Sequence, residues 1–131
     1  MIIGLGTDII DIRRIEKTIK RYGNRFKKKC FLNSEINLSE SRKNKVESYA
    51  KRYAAKEACA KALGTGLAKG VFWKDIEIKN NQLGKPLIYL HNNAAKLLYK
   101  MNSEKLKIEV SLSDEKKYAI ANVIIFIDEK K

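Results

Sequence analysis

Cysteine, histidine and proline are nearly missing from this chain of 131 residues, which has two, one and one of them. Cys30 and Cys59 form neither a disulfide framework nor a metal motif. Without clustered histidine or cysteine, the chain has no zinc-type ligand set. Long hydrophobic runs are missing too, and none approaches the roughly 18 residues needed to span a bilayer. The chain opens on a strand-like pattern, with no charged segment leading into a long apolar stretch, so no secretory leader is expected. Together these absences point to a reduced, cytoplasmic protein that does not enter a membrane. There is no repeat, low-complexity stretch or proline-rich linker. The length suits a single domain over 1–131 with one real core.

Acidic residues are also scarce: 15 Asp and Glu stand against 28 Lys and Arg, giving a net charge of +13. The excess is concentrated. Between Arg13 and Lys29 there are nine basic residues and one acid, Glu16, so this segment alone carries +8. Such clustering implies an anionic partner, which could be nucleic acid, an acidic protein or a phosphorylated ligand. The aromatic residues that stack on bases in single-strand binders are not evident there.

Hydrophobic spacing predicts a strand over 2–10 and a helix over 12–22, capped by Asp11. Ile12, Ile15, Ile19 and Tyr22 share one arc, which Phe26 would extend. Arg13, Arg14, Lys17, Lys20 and Arg21 share the opposite one. A short helix is expected over 33–40, with Asn33 or Ser34 as its cap. The longest helical pattern covers 44–63, with Val46, Tyr49, Ala50, Tyr53, Ala54 and Ala60 on one broad face. Strands are expected over 75–80 and 86–90 around a Gly- and Pro-marked turn. A helix over 92–102 and strands over 105–113 and 117–127 complete the chain. The fold class read from this order is α+β: a mostly antiparallel sheet packed against one long helix and shorter helices.

Two acids stand out against this background. Asp8 lies within the apolar opening strand. On the 44–63 pattern Glu57 falls in the middle of the apolar face, with Lys61 four residues on. A carboxylate among apolar neighbours is costly unless something pairs with it. Two of them on separate elements suggest a shared divalent cation, and an oxygen-only pair suits magnesium. An internal Asp/Glu–Lys salt bridge is the equally open alternative. Gly64–Thr65–Gly66 reads as a helix cap. His91 and Trp73 read as structural, and Cys59 as a small buried hydrophobe. Ser111–Leu112–Ser113–Asp114 puts hydroxyls and a carboxylate at a strand end, where a site could form.

Gly4–Leu5–Gly6–Thr7–Asp8–Ile9–Ile10–Asp11 resembles the opening signature of the holo-acyl-carrier-protein synthase family. Arg52–Tyr53–Ala54–Ala55–Lys56–Glu57–Ala58 through Lys61 and Gly64–Thr65–Gly66 resembles the second signature. Asp75–Ile76–Glu77–Ile78, Gly84–Lys85–Pro86 and Ser111–Leu112–Ser113 follow in the family's order. The resemblance implies the 4′-phosphopantetheinyl transferase fold and a magnesium-dependent transfer. Phosphopantetheine would move from coenzyme A to a serine of apo acyl carrier protein, releasing adenosine 3′,5′-bisphosphate and supporting fatty acid biosynthesis. It implies Asp8 and Glu57 as metal ligands and Lys61 beside the pyrophosphate. Arg52, Lys56, Lys61, Gly64, Lys85, Pro86 and Ser113 are implied along the coenzyme A site. Arg13, Arg14, Lys17 and Arg21 are implied as the dock for the acidic carrier, in place of nucleic acid. A homotrimer with active sites between subunits is also implied. Many members carry histidine where this chain has Asp114, so that residue's role stays open.

Overall fold

A computed structural model describes residues 1–67, 70–101 and 105–128. Strand β1 (Ile2–Asp11) leads into helix α1 (Ile12–Tyr22), then α2 (Asn24–Cys30), α3 (Asn33–Ser41) and the long α4 (Lys45–Ala62). A single 3-10 turn at Trp73–Asp75 precedes β2 (Ile76–Asn80) and β3 (Pro86–Leu90). Helix α5 (Asn92–Met101) and strands β4 (Leu106–Glu115) and β5 (Tyr118–Ile127) follow. The fold is α+β, with all its strand pairs antiparallel. The strands form two sheets instead of one. One has the order β1-β5-β4, and the other is the β2–β3 hairpin. Residue 102, where the sequence pattern ended its last helix, lies outside the described residues.

Asp11 caps α1 as its position predicts: its side chain accepts from the backbone N–H of Arg13 at 3.0 Å. Helix α2 was not anticipated, because Gly23 interrupts the arc that Phe26 would have extended. Gly23 turns the chain at a φ of 53°, a conformation that suits glycine. The cap of α3 is Leu32, not Asn33 or Ser34. Glu35 reaches back to accept from the Leu32 N–H at 2.9 Å, which supplies the partner that a side-chain cap would otherwise provide.

Helix α4 crosses the larger sheet and is buried on more than one side. Ala54, Ala58 and Ala62 recur every four residues and are buried. Opposite them on β1, a Cβ at Gly4 would run into the Ala62 carbonyl oxygen, and one at Gly6 into that of Ala58. The two glycines therefore let strand and helix backbones touch. This packing sets the distance between the strand that carries Asp8 and the helix that carries Glu57. The other side of α4 faces α2, α3 and β2 through the buried Tyr49 and Lys56, and Cys59 is buried too. Both cysteines are free. Burial pushes the Cys30 thiol up to about 11 and the Cys59 thiol up to about 12, which leaves them unreactive.

Candidate active site

Asp8, Glu57 and Lys61 come together at the β1 edge of the sheet. Asp8 pairs in register with Ala121 of β5, and its side chain is 17 % exposed. Lys61 reaches across from α4. Its ammonium donates to Asp8 Oδ1 at 3.1 Å and to the Thr7 carbonyl at 3.0 Å. Glu57 does not project into the middle of the buried face, as the one-face helical pattern implied. Helix α4 buries several faces at once, and Glu57 lies half-buried on the margin next to Asp8. Burial pushes its carboxyl above the ordinary range, and the neighbouring Asp8 charge adds to that. Lys61, a hydrogen bond from Tyr53 and Arg14 pull it partly back. The Tyr53 phenol is in turn raised to about 12, first by burial and then by Glu57.

The two acids are therefore close enough to repel, with cations on their flanks. No third His, Cys, Asp or Glu joins them among the described residues. Two carboxylates would leave most of an octahedral shell to water and phosphate oxygens, which fits magnesium and not a closed zinc site. The salt-bridge alternative is also present in part, since Lys61 pairs with Asp8.

A second feature lies at the opposite, β4 edge of the sheet. A groove of about 630 Å³ runs between the start of α4, the β2–β3 turn and β4. Arg42, Lys43, Lys51 and Arg52 give it positive charge, and Pro86 and Ser111 line its other side. Arg52 is only 4 % exposed. It donates to Ser48 Oγ at 3.0 Å and to Asn80 Oδ1 at 2.6 Å, and its Nε is buried without a partner among the described residues. Lys85 lies nearby on the hairpin turn but is paired with Glu109 at 3.0 Å. Ser113 is exposed on β4.

Gly64 ends α4 at a φ of 88°. The Thr65 and Gly66 N–H groups fold back to the Ala60 carbonyl, the helix-capping role read from the sequence.

Lys56 needs correcting. It is fully buried, and its ammonium donates to Glu35 Oε1, the Trp73 carbonyl and the Ile76 carbonyl at 2.7, 2.9 and 2.7 Å. An ammonium has three donors; all are used, so Lys56 has none for coenzyme A. It ties α4 to α3 and to the entry of β2.

Helix α1 shows its basic stripe to solvent. Arg13, Arg14, Lys17 and Arg21 line a hollow of about 450 Å³. Arg13 is held by Asp11 through two hydrogen bonds, Nε to Oδ1 at 2.9 Å and a terminal nitrogen to Oδ2 at 2.6 Å. His91 and Trp73 are structural as read: His91 Nε2 lies 2.9 Å from Glu77 Oε1, and Trp73 stacks on Tyr53. Tyr53, Arg42, Lys43 and Lys51 were not singled out from the sequence. Tyr53 sits one helical turn before Glu57, a spacing that could have flagged it. The basic trio reads locally as an ordinary solvated surface.

The chain is similar to known proteins in both sequence and fold. A sequence model described as the 4′-phosphopantetheinyl transferase superfamily matches residues 4–123. A holo-[acyl-carrier-protein] synthase from Rhizobium rhizogenes is 50 % identical over 128 residues, covering 98 % of this chain and 96 % of the relative. The crystal structure of holo-[acyl-carrier-protein] synthase from Neisseria meningitidis superposes with a TM-score of 0.85 at 33 % identity, over 96 % of this chain and 99 % of that one. A holo-(acyl-carrier-protein) synthase from Bacillus anthracis, in complex with CoA (3′,5′-ADP), superposes at 0.80 with 33 % identity, over 98 % and 99 %.

Proposed function

The chain belongs to the holo-[acyl-carrier-protein] synthases of the 4′-phosphopantetheinyl transferase superfamily, and we propose that it carries out their transfer with Asp8, Glu57 and Lys61 at its centre. Phosphopantetheine moves from coenzyme A to a serine of apo acyl carrier protein. The serine oxygen bonds to the phosphorus that carries pantetheine. The bond from that phosphorus to the leaving adenosine 3′,5′-bisphosphate breaks. The observation that carries this reading is the meeting of Asp8, Glu57 and Lys61 where β1 and α4 touch.

Asp8 and Glu57 would hold a magnesium ion. The ion would supply positive charge that offsets the charge gathering on the pyrophosphate as the bisphosphate leaves. Glu57, half-buried beside Asp8, would take up the serine proton as general base. Lys61 directs two donors at Asp8 and Thr7 and would offer the third to a phosphate oxygen. Transfer of this kind depends chiefly on positioning and electrostatics, which a small site can provide. The basic groove with Arg52 and Pro86 suits the nucleotide end of coenzyme A. Lys85 and Ser113 are sequence neighbours of groove-lining residues, and Gly64 follows Lys61 by three positions at the end of α4.

Groove and acid pair stand at opposite edges of the β1-β5-β4 sheet, with α4 between them. Neighbouring copies would bring the groove of one against the acids of the next. The sheet face away from α4 favours such an assembly: Leu5 and Ile9 are 67 % and 61 % exposed, with Ile120 directly across from Ile9. This supports a homotrimer with its sites between subunits. The α1 stripe is the dock for the acidic carrier and not for nucleic acid. Among the described residues no helix is long and apolar enough to cross a membrane, and a cytoplasmic role in fatty acid biosynthesis fits the reaction.

The test is direct. The protein is mixed with coenzyme A, magnesium and apo carrier, and the carrier is weighed by mass spectrometry. One phosphopantetheine should be added per carrier, and Asp8→Ala and Glu57→Gln should each abolish the gain. Near-normal turnover in both variants would sink the assignment.

A further inference from the structure

Asp114 stands in the wall of the same groove that holds Arg52, which Glu47 also lines. A carboxylate there is a puzzle, because it should repel the anion that Arg42, Lys43, Lys51 and Arg52 would attract. The geometry resolves the conflict. Asp114 Oδ1 lies 3.4 Å from Lys51 Nζ, and the two side chains are 38 % and 32 % exposed. The acid spends its charge on a neighbour and leaves the pair open to the groove. Arg52, which lines the same groove, has a buried Nε with no acceptor among the described residues. A buried donor left unpaired is costly, and a ligand oxygen would satisfy it.

We propose that Lys51, held over the groove by Asp114, contacts the 3′-phosphate of coenzyme A, and that this pair sets the preference for coenzyme A over its 3′-dephospho form. The inference rests on the proposed seating of the nucleotide end in this groove. A lysine ammonium is a point charge on a flexible four-carbon stem. Untethered, it would spend much of its time in solvent. A carboxylate at salt-bridge distance narrows that freedom, and the ammonium keeps donors free for a phosphate. Asp114 is then a positioning residue that acts through Lys51.

Direct binding of adenosine 3′,5′-bisphosphate and of adenosine 5′-monophosphate, measured by calorimetry on the full chain, tests the proposal without relying on turnover. Wild type should prefer the bisphosphate. Lys51→Gln should weaken bisphosphate binding about 10- to 100-fold and leave the monophosphate nearly unchanged, the effect expected for one lost charge-assisted contact. Lys51→Arg should restore most of the preference. Asp114→Asn should also weaken the bisphosphate. Tighter bisphosphate binding in Asp114→Asn would show that the acid only repels, and would overturn the proposal. An undiminished preference in Lys51→Gln would overturn it too. If wild type binds no bisphosphate, the coenzyme A reading of the groove falls as well. If wild type binds it and Lys51→Gln binds it equally, only the present inference falls.

Discussion

Lys61 Nζ donates to Asp8 Oδ1 at 3.1 Å and to the Thr7 carbonyl at 3.0 Å, so the lysine from α4 sits on the acid proposed as a metal ligand. The ammonium and a divalent cation would compete for the same carboxylate. Lys61→Met should lower transfer about 10²- to 10³-fold through loss of a phosphate-facing charge. In the same variant, magnesium should raise the melting temperature at least as much as in wild type, because the competitor is gone. Asp8→Ala should lose both transfer and magnesium stabilisation. If Lys61→Met also lost the magnesium effect, Lys61 would be building the cation site and not competing for it.

The buried pair of Lys56 and Glu35 makes a separate prediction. Glu35 accepts from Lys56 and Leu32 through Oε1 and from Ile78 through Oε2, so three segments meet at one carboxylate. Burial lowers the Lys56 ammonium below the usual lysine range, and Glu35 offsets part of that. Removing one partner of a fully buried pair leaves the other uncompensated, at a cost of about 3–5 kcal/mol. Lys56→Met should lose about that much in urea unfolding. The folded fraction should keep its KM for coenzyme A. A variant as stable as wild type, with that KM raised tenfold or more, would return Lys56 to the ligand site.

These two lysines show what the sequence could and could not disclose. The opening strand, the α1 arc and the hairpin turn were legible because each follows one periodicity or one turn signal. Asp8, Glu57 and Lys61 were legible from signature segments. The side of α4 on which Glu57 lies was not, because a helix covered on several faces carries no single apolar stripe. For the same reason Lys56 looked like its neighbours. Its partner Glu35 is 21 positions away, and nothing local marks such a pairing. Lys51 and Asp114 are further apart still, and only the crossing of α4 over β4 joins them. Helix α2 was hidden by its own composition, since a lysine-rich helix of seven residues has little hydrophobic pattern to read.

Glu40 predicts how stability responds to acid. Hydrogen bonds from Lys27 and Tyr49 hold its carboxyl at about 2, well below the usual carboxylate range. The unfolded chain therefore takes up this proton first as the pH falls. The stabilisation is present above about 4.5 and is lost as the pH drops toward about 2. Solvent screens a carboxylate that is 37 % exposed, so the effect is small. Urea unfolding at pH 6, 4 and 3 should show a steeper loss of stability for wild type than for Glu40→Gln. Parallel losses in the two would show that the contacts with Lys27 and Tyr49 do not persist in solution.

The α1 stripe predicts unequal contributions from its arginines. Arg13 is doubly bonded to Asp11, whose carboxyl it holds at about 2. Its charge is therefore already matched, and Arg13→Ala should change the KM for the carrier little. Arg14 lies close enough to lower the Glu57 carboxyl, so Arg14→Glu should reduce kcat as well as carrier affinity. Arg21 lies two turns further along α1, with its guanidinium 5.3 Å from the centre of the Tyr22 ring. Arg21→Glu should raise the KM for the carrier about tenfold at low salt, with kcat and the KM for coenzyme A nearly unchanged. Because steering between exposed charges is screened over about 8 Å at physiological ionic strength, that penalty should shrink as salt is added. An equal rise in both KM values, or a penalty that salt leaves intact, would place the carrier elsewhere on the protein.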